Sequence, residues 1–339
     1  MNNFALQYKK KNTLKFEQQK IGQISKNEVL IKIHSCGICG SDLKILKKGS
    51  NRVKKNTVLG HEMSGEIIFA EPGKYFRRGQ KIVLGADIPH KLNKDFAFGH
   101  EINGGFQKYL RVKSKLLRKA PHYLTKSKIN YDTACLAEPL ACCLNGLEKI
   151  NFIPHKNVVI FGAGSIGNLI AKLCLYYKSN KIFLIDKNNF KLSNGVKAKN
   201  IFKLNFSNYK KKISYILKKE ENIDYCFVAC DSADAQNEAI NVISKNGSIN
   251  FFSGLEKKNQ KDPFVKINTN LIHYKQLKIV GSHGSQKKHV VKAAKLIING
   301  KIVLNDIITH IYSLKKIKKA FNIMKTGKNI KIIIKPQNV

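Results

Sequence analysis

Short apolar runs separated by glycine dominate the first third of the chain: EVLIKIHSC (28–36), MSGEIIFA (63–70), QKIVLGA (80–86) and FQKYLRV (106–112). Their length and β-branched content predict strands, and helix periodicity is scarce, so this part reads as an irregular, mostly β domain. Near residue 140 the texture changes. EPLACCLNGLEKI (138–150) predicts a helix with Pro139 in its first turn, where proline is tolerated. Strands and helices then alternate through NVVIFGAG, SIGNLIAKLCLYY, KIFLID, IDYCFVAC, ADAQNEAINVI and GSINFFSG. That alternation calls for a doubly wound parallel sheet. From about 281 come a helix (287–299), the stretch LKKIKKAFNIMKTG, and a closing strand in KIIIKP.

A chain of 339 residues, 43% apolar, suits two domains of ordinary size. The expected class is α/β, divided at 1–140, 141–280 and 281–339. The opening MNNFALQYKKKNTLKF holds no apolar segment of signal-peptide length, and no run approaches the ~20 apolar residues of a membrane span. Eight cysteines scattered through an enzyme-like composition do not form a secreted disulfide framework. A reduced, cytoplasmic protein is expected. The net charge of +40 raises nucleic acid as a partner, yet only five of the 62 cations are arginine (52, 77, 78, 111 and 118). Arginine is the residue that forks onto phosphate and guanine. The lysines are dispersed, often between isoleucines, as a solvated surface would be. Neither a nucleic-acid nor a membrane partner is expected, although the charge can help to attract an anionic substrate.

VVIFGAGSIGNLIAKL (158–173) runs a hydrophobic strand into G-x-G-x-x-G and then a helix. Gly162 makes the tight turn, Gly164 lets the backbone approach a pyrophosphate, and Gly167 lets helix and strand pack closely. Asp186 ends KIFLID 19 residues after Gly167, where a carboxylate accepts from the ribose hydroxyls and repels a 2′-phosphate. NAD is therefore favoured over NADP, with Lys187 beside the acid tempering the preference. Ser165 and Ile166 inside the motif, and Lys191 after Asp186, complete the cofactor candidates.

HSCGICGSDLK (34–44) sets Cys36 and Cys39 three apart. Downstream stand His61 and Glu62 in LGHEMSGEI (59–67), and Glu138 in LAEPLACCLNG. A thiolate, an imidazole and carboxylates make a zinc set of catalytic type, with a position left open. A redox dithiol lacks its β-α setting here, and a four-cysteine zinc lacks its second C-x-x-C. Cys36 reads as a small buried residue at a strand end.

Taken together, CGICGSD (36–42), GHEMSGEI (60–67), GGFQKYLRV (104–112), EPLACCLNG (138–146), GAGSIG (162–167) and NLIHYKQLKIVGSHGS (270–285) give a chain that resembles the zinc-dependent medium-chain dehydrogenase/reductase superfamily, in its polyol and threonine dehydrogenase-like branch. The resemblance implies a GroES-like catalytic domain, built from the N-terminal part and the C-terminal tail, with a Rossmann domain inserted between them. It implies that Cys39, His61, Glu62 and Glu138 surround the zinc, with Cys39 and His61 the surest ligands and the choice between the glutamates open. Two departures stand out. The segment 84–107, where many relatives carry four cysteines around a structural zinc, has none. One catalytic zinc per chain and no structural zinc is the expectation, with His90 and His100 as solvated loop histidines. Lys44 stands where relatives often place a proton-passing histidine, while Ser41 is retained.

The activity implied is reversible oxidation of a secondary alcohol, of polyol or sugar type, to a ketone. The metal serves as Lewis acid, Ser41 as the first proton acceptor and NAD as hydride acceptor. His283 in the GSHGS loop (281–285) is a weak candidate for substrate contact. A phosphorylated polyol or an amino-alcohol is the alternative substrate. A non-catalytic Rossmann protein that binds nucleotide or nucleic acid is the alternative of another class. A homodimer or homotetramer is what the resemblance suggests.

Overall fold

The computed structural model describes residues 1–91, 94–217, 221–256 and 263–338. The side chains of residues 90, 91 and 94 also fall outside the description, His90 among them. The chain divides into two compact units. The first comprises 1–141, 284–326 and 331–339, the second 142–283 and 327–330.

In the first unit a seven-stranded sheet runs in the order Ile308–Ser313, Lys331–Lys335, Glu28–Gly37, Glu62–Phe69, Lys81–Leu84, His122–Thr125, and Tyr109–Lys113 also pairs with Glu28–Gly37. The C-terminal strand lies directly on the first long strand, Ile334 opposite Cys36 and Ile333 opposite Gly37. The end of the sequence thus completes a sheet begun at its start. Alternate residues of the strands enter one core, with Ile31, Ile33, Met63, Ile67, Phe98 and Phe106 fully buried. Each such side chain contributes roughly 1.5–3 kcal/mol of transfer free energy. An N-terminal hairpin, Asn2–Lys10 with Thr13–Lys20, lies outside this sheet. The pattern did not announce it, because Ala5, Leu6, Gln7 and Tyr8 are buried in succession rather than alternately.

The second unit is a six-stranded parallel sheet ordered Ile201–Asn205, Ile182–Asp186, Val158–Phe161, Tyr225–Val228, Ser248–Phe251, Lys278–Gly281. Val158–Phe161 pairs with Ile182–Asp186 on one side and Tyr225–Val228 on the other. The strand order reverses there, and such a switch point is where open parallel sheets bind ligands at their carboxyl ends. The strand is buried at every residue, as a sheet covered on both faces requires. Residues 327–330 belong to this unit rather than to the closing segment that the pattern suggested. Asn188 Nδ2 donates to the Gly327 carbonyl (3.2 Å), and Ile330 lies against Gly195. Among the described residues no helix is long and apolar enough to cross a membrane.

Candidate functional site

In the first unit, strand pairing brings the metal candidates together. Gly37, at the end of its strand, pairs with Glu62, at the start of the next. Cys39 follows Gly37 closely, and His61 immediately precedes Glu62, so all emerge at one end of the ladder. Cys39 caps the helix Gly40–Lys48. Gly60 holds φ +88°, and a Cβ there would meet the Phe106 ring at 2.8 Å and Cys36 Sγ at 2.9 Å. Only glycine fits that turn. One ligand atom each from Cys39, His61 and Glu62 lie within 4.8 Å of one another. Glu138, in the first turn of Ala137–Lys149, is buried but stands outside that triplet.

Two residues that sequence reading did not single out organise this cluster. Asp42 is fully buried; its Oδ2 accepts from the Cys39 backbone N–H (2.9 Å) and its Oδ1 from that of Gly60 (3.2 Å). Oδ1 also lies 3.7 Å from His61 Nδ1. One carboxylate thereby fixes both ligand-bearing segments and faces the imidazole from behind, as supporting carboxylates do at metal sites. Its signal was present in the sequence, an acid three residues after Cys39 in GSD. Lys331 is the second. Its buried Nζ donates to Glu62 Oε1 (2.6 Å) and to the Ile38 carbonyl (3.0 Å), and it also pairs with Glu62 Oε2. Burial works against the Lys331 ammonium, but Glu62 and Cys39 raise its pKa above the ordinary lysine value.

The electrostatics favour a cation. Burial disfavours the His61 imidazolium, yet Asp42 and Cys39 together overcome it and push the His61 pKa well above the usual histidine range. Burial lifts the Glu138 carboxyl to about 7, the charges of Glu62 and Asp87 adding to the lift and His61 opposing it. His61 Nδ1 and Ser41 Oγ are both buried without a hydrogen-bond partner. A soft thiolate, an imidazole and a hard carboxylate within one ion's reach, in a field that draws protons, suit Zn²⁺. Cys36, by contrast, is fully buried and its thiol pKa is driven up by burial, which leaves it inert.

His100 is not the freely solvated loop residue that the sequence suggests. Its ring centroid lies 5.6 Å from that of His61 at 50°, and burial, then the charge of His61, lowers its pKa. Lys44 is exposed on the Gly40–Lys48 helix. The His283 carbonyl accepts from Asn145 Nδ2 (3.3 Å).

In the second unit, Gly162 (φ +103°) follows the strand Val158–Phe161, and Gly164 caps the helix Ser165–Tyr176. A Cβ at Gly167 would lie 1.7 Å from the Gly162 carbonyl oxygen, whereas one at Gly164 meets nothing within 4 Å. The first is a packing requirement; the second leaves the backbone open to a ligand. Ser165 Oγ is buried without a partner, and the Ile166 carbonyl accepts from Cys143 Sγ (3.9 Å). Asp186 reaches back to the turn: its Oδ2 accepts from Ala163 N–H (2.7 Å) and its Oδ1 from Asn188 N–H (2.8 Å). Lys191 N–H donates to Asn188 Oδ1 (3.3 Å). Lys187 extends toward Phe206 (4.8 Å to the ring centroid) and Asp234 (3.5 Å).

The family described as the alcohol dehydrogenase GroES-like domain matches residues 25–122. D-arabinitol dehydrogenase 1 of Uromyces fabae is 25% identical over 353 residues, covering 98% of this chain and 97% of that protein. L-threonine 3-dehydrogenase of Bacillus licheniformis is 25% identical over 340 residues, 95% of each. Among solved structures, 2R,3R-butanediol dehydrogenase from Bacillus subtilis aligns with a TM-score of 0.86 at 20% identity, covering 98% of this chain and 99% of its own.

Proposed function

We propose that this chain, a member of the zinc-dependent medium-chain dehydrogenase/reductase family, interconverts a secondary alcohol of polyol or sugar type and its ketone, with NAD as hydride acceptor. The observation that carries the reading is the meeting of Cys39, His61 and Glu62 ligand atoms within 4.8 Å, with Asp42 buried behind them. Cys39, His61 and Glu62 would hold one zinc per chain, with no structural zinc. Lys331 fixes the Glu62 carboxylate, and Glu138 supplies a further buried carboxyl near His61 and Glu62. When bound, the metal supplies Lewis acidity toward the alcohol oxygen and the nicotinamide supplies the hydride acceptor.

The remaining work belongs to the chain itself. Ser41 Oγ, buried and without a hydrogen-bond partner in the protein, takes the hydroxyl proton as it releases its own to water. Ser41→Ala is expected to lower kcat by roughly 10²–10⁴-fold, the usual worth of a positioned acid/base group, with the metal content unchanged. Parallel metal analysis and steady-state rates check this; a loss of metal together with rate would assign Ser41 to the metal site's architecture instead.

Gly162, Gly164, Ser165, Ile166 and Gly167 would cradle the dinucleotide phosphates and Asp186 would receive the ribose hydroxyls, with Lys191, bonded through its backbone to Asn188, the remaining candidate. Lys187, drawn to Phe206 and Asp234, leaves Asp186 to decide the cofactor, which supports NAD over NADP. Asp186→Asn is expected to raise KM for NAD by about 10–100-fold, the worth of hydrogen bonds to a charged acceptor, and to narrow the NAD/NADP ratio. Unchanged KM for both cofactors would remove Asp186 from this role.

The threonine dehydrogenase relative supports an amino-alcohol as the second substrate reading. A panel of polyols, sugars, their phosphates and L-threonine, followed by absorbance of the reduced cofactor, separates the two. The sheet-edge strand Lys278–Gly281 has no buried residue, which supports a homodimer or homotetramer in which that edge is covered.

A further inference from the structure

We propose that a cationic groove in the first unit binds single-stranded nucleic acid. The groove encloses about 780 Å³ and shares no residue with the Cys39–His61–Glu62–Glu138 cluster. Lys26, Lys74, Lys113, Lys115, Arg118 and Lys119 line it, all exposed. Its carboxylates are Glu28 and Glu71. Glu28 is already committed: Arg111 Nε donates to its Oε1 (2.8 Å) and Nη2 to its Oε2 (2.5 Å). Six cations therefore face one uncommitted acid.

Charge alone would not single out this groove on so basic a chain. One further observation does. Tyr75 lines the groove with 49% of its surface exposed, beside Arg118. Its hydroxyl hydrogen-bonds His122 Nε2 (3.1 Å), its ring sits edge-on to buried Phe76 (4.9 Å), and the Arg118 guanidinium lies 5.5 Å from its centroid. His122 Nδ1 donates to the Ala120 carbonyl (2.8 Å), which fixes the tautomer that accepts from Tyr75. The ring is thus held in place before any partner arrives.

A pre-positioned aromatic ring, an arginine beside it and a lysine-lined channel are what unpaired bases and a phosphate backbone require together. Duplex grooves are read by protruding elements, whereas this site is concave. A lipid surface is broad and has no use for an aromatic ring fixed at the wall of a channel. The occupant is a single strand, with phosphates along the lysines and a base against Tyr75 and Arg118.

The test is fluorescence anisotropy of a labelled 15-nucleotide oligo-dT against full-length protein over a range of KCl. Three variants accompany the wild type: Lys74→Gln/Lys115→Gln/Arg118→Gln in the groove, Lys315→Gln/Lys316→Gln/Lys318→Gln at exposed positions outside its lining, and Tyr75→Ala. The groove triple is expected to weaken binding at least tenfold at 150 mM salt. It should also reduce the slope of log K against log salt by about 2, at ~0.7 per phosphate contact. The control triple, equal in charge change, should lose less than twofold. Tyr75→Ala is expected to lose about tenfold, and Tyr75→Phe, which keeps the ring if the alanine variant unfolds, less than threefold. Alcohol oxidation should be unchanged in all of them. Equal losses in the two triples, heparin bound as tightly as the oligonucleotide, or capture by acidic vesicles without oligonucleotide binding would each overturn the proposal.

Discussion

Cys39→Ala is expected to lower kcat/KM by at least about 10³-fold and to remove the bound metal, while the folded state survives. A Lewis acid is worth several kcal/mol of transition-state stabilisation, and each 1.36 kcal/mol is tenfold in rate. Of the three closest donors, Cys39 is the thiolate, and without it an imidazole and a carboxylate alone would hold zinc weakly. Stability should change little, since Cys39 sits half-buried at a helix start and contributes little to the core. Cys36→Ala should behave in the opposite way. Its sulfur lies 2.8–2.9 Å from where Cβ atoms on Gly60 and Gly105 would stand, so its removal opens a core cavity while metal and rate remain. Metal analysis, rates and thermal unfolding of both variants check the pair. A reversal of the two phenotypes would contradict the account.

Lys331→Met is expected to destabilise the metal-free protein by about 3–5 kcal/mol, because it leaves Glu62 charged, buried and without its partner. It also strands the Ile38 carbonyl, which accepts from Lys331 Nζ across a separation of 293 residues. Zinc should recover part of this loss, since a cation beside Glu62 compensates the charge that the lysine balanced. Glu62→Gln added to Lys331→Met should likewise cost less than the sum of the two single changes. Denaturant midpoints with and without zinc measure all of this. A loss below about 1 kcal/mol, or strict additivity, would show that the pair does not hold the site.

The sequence exposed the donors but not what holds them. Cys39, His61 and the glycines of 162–167 are legible because their chemistry constrains both residue type and spacing. Asp42 was in plain view inside GSD, yet its role depends on reaching the backbone amide of Gly60, 18 residues away, as well as that of Cys39. Lys331 could not be found at all. It lies in GKNIKIIIKP, where one buried lysine looks like every other lysine of a chain with 62 cations. His100 gave no sign that its loop returns to His61. The parallel sheet was readable from apolar runs such as VVIF and IFLI, which two-sided burial demands. Its outer strand Ile201–Asn205 was not, because it is mostly half-buried and carries Lys203 and Asn205 among its apolar residues. The N-terminal hairpin hid for a related reason, since its second strand has no buried residue.

The most direct measurement is the metal content of the purified, full-length protein, by mass spectrometry of the intact ion and by elemental analysis after dialysis against trace zinc. The account predicts one zinc per chain, lost with a chelator together with NAD-linked alcohol oxidation and restored by zinc. Active protein that contains no metal, or a second tightly held ion that Cys39→Ala leaves in place, would contradict it.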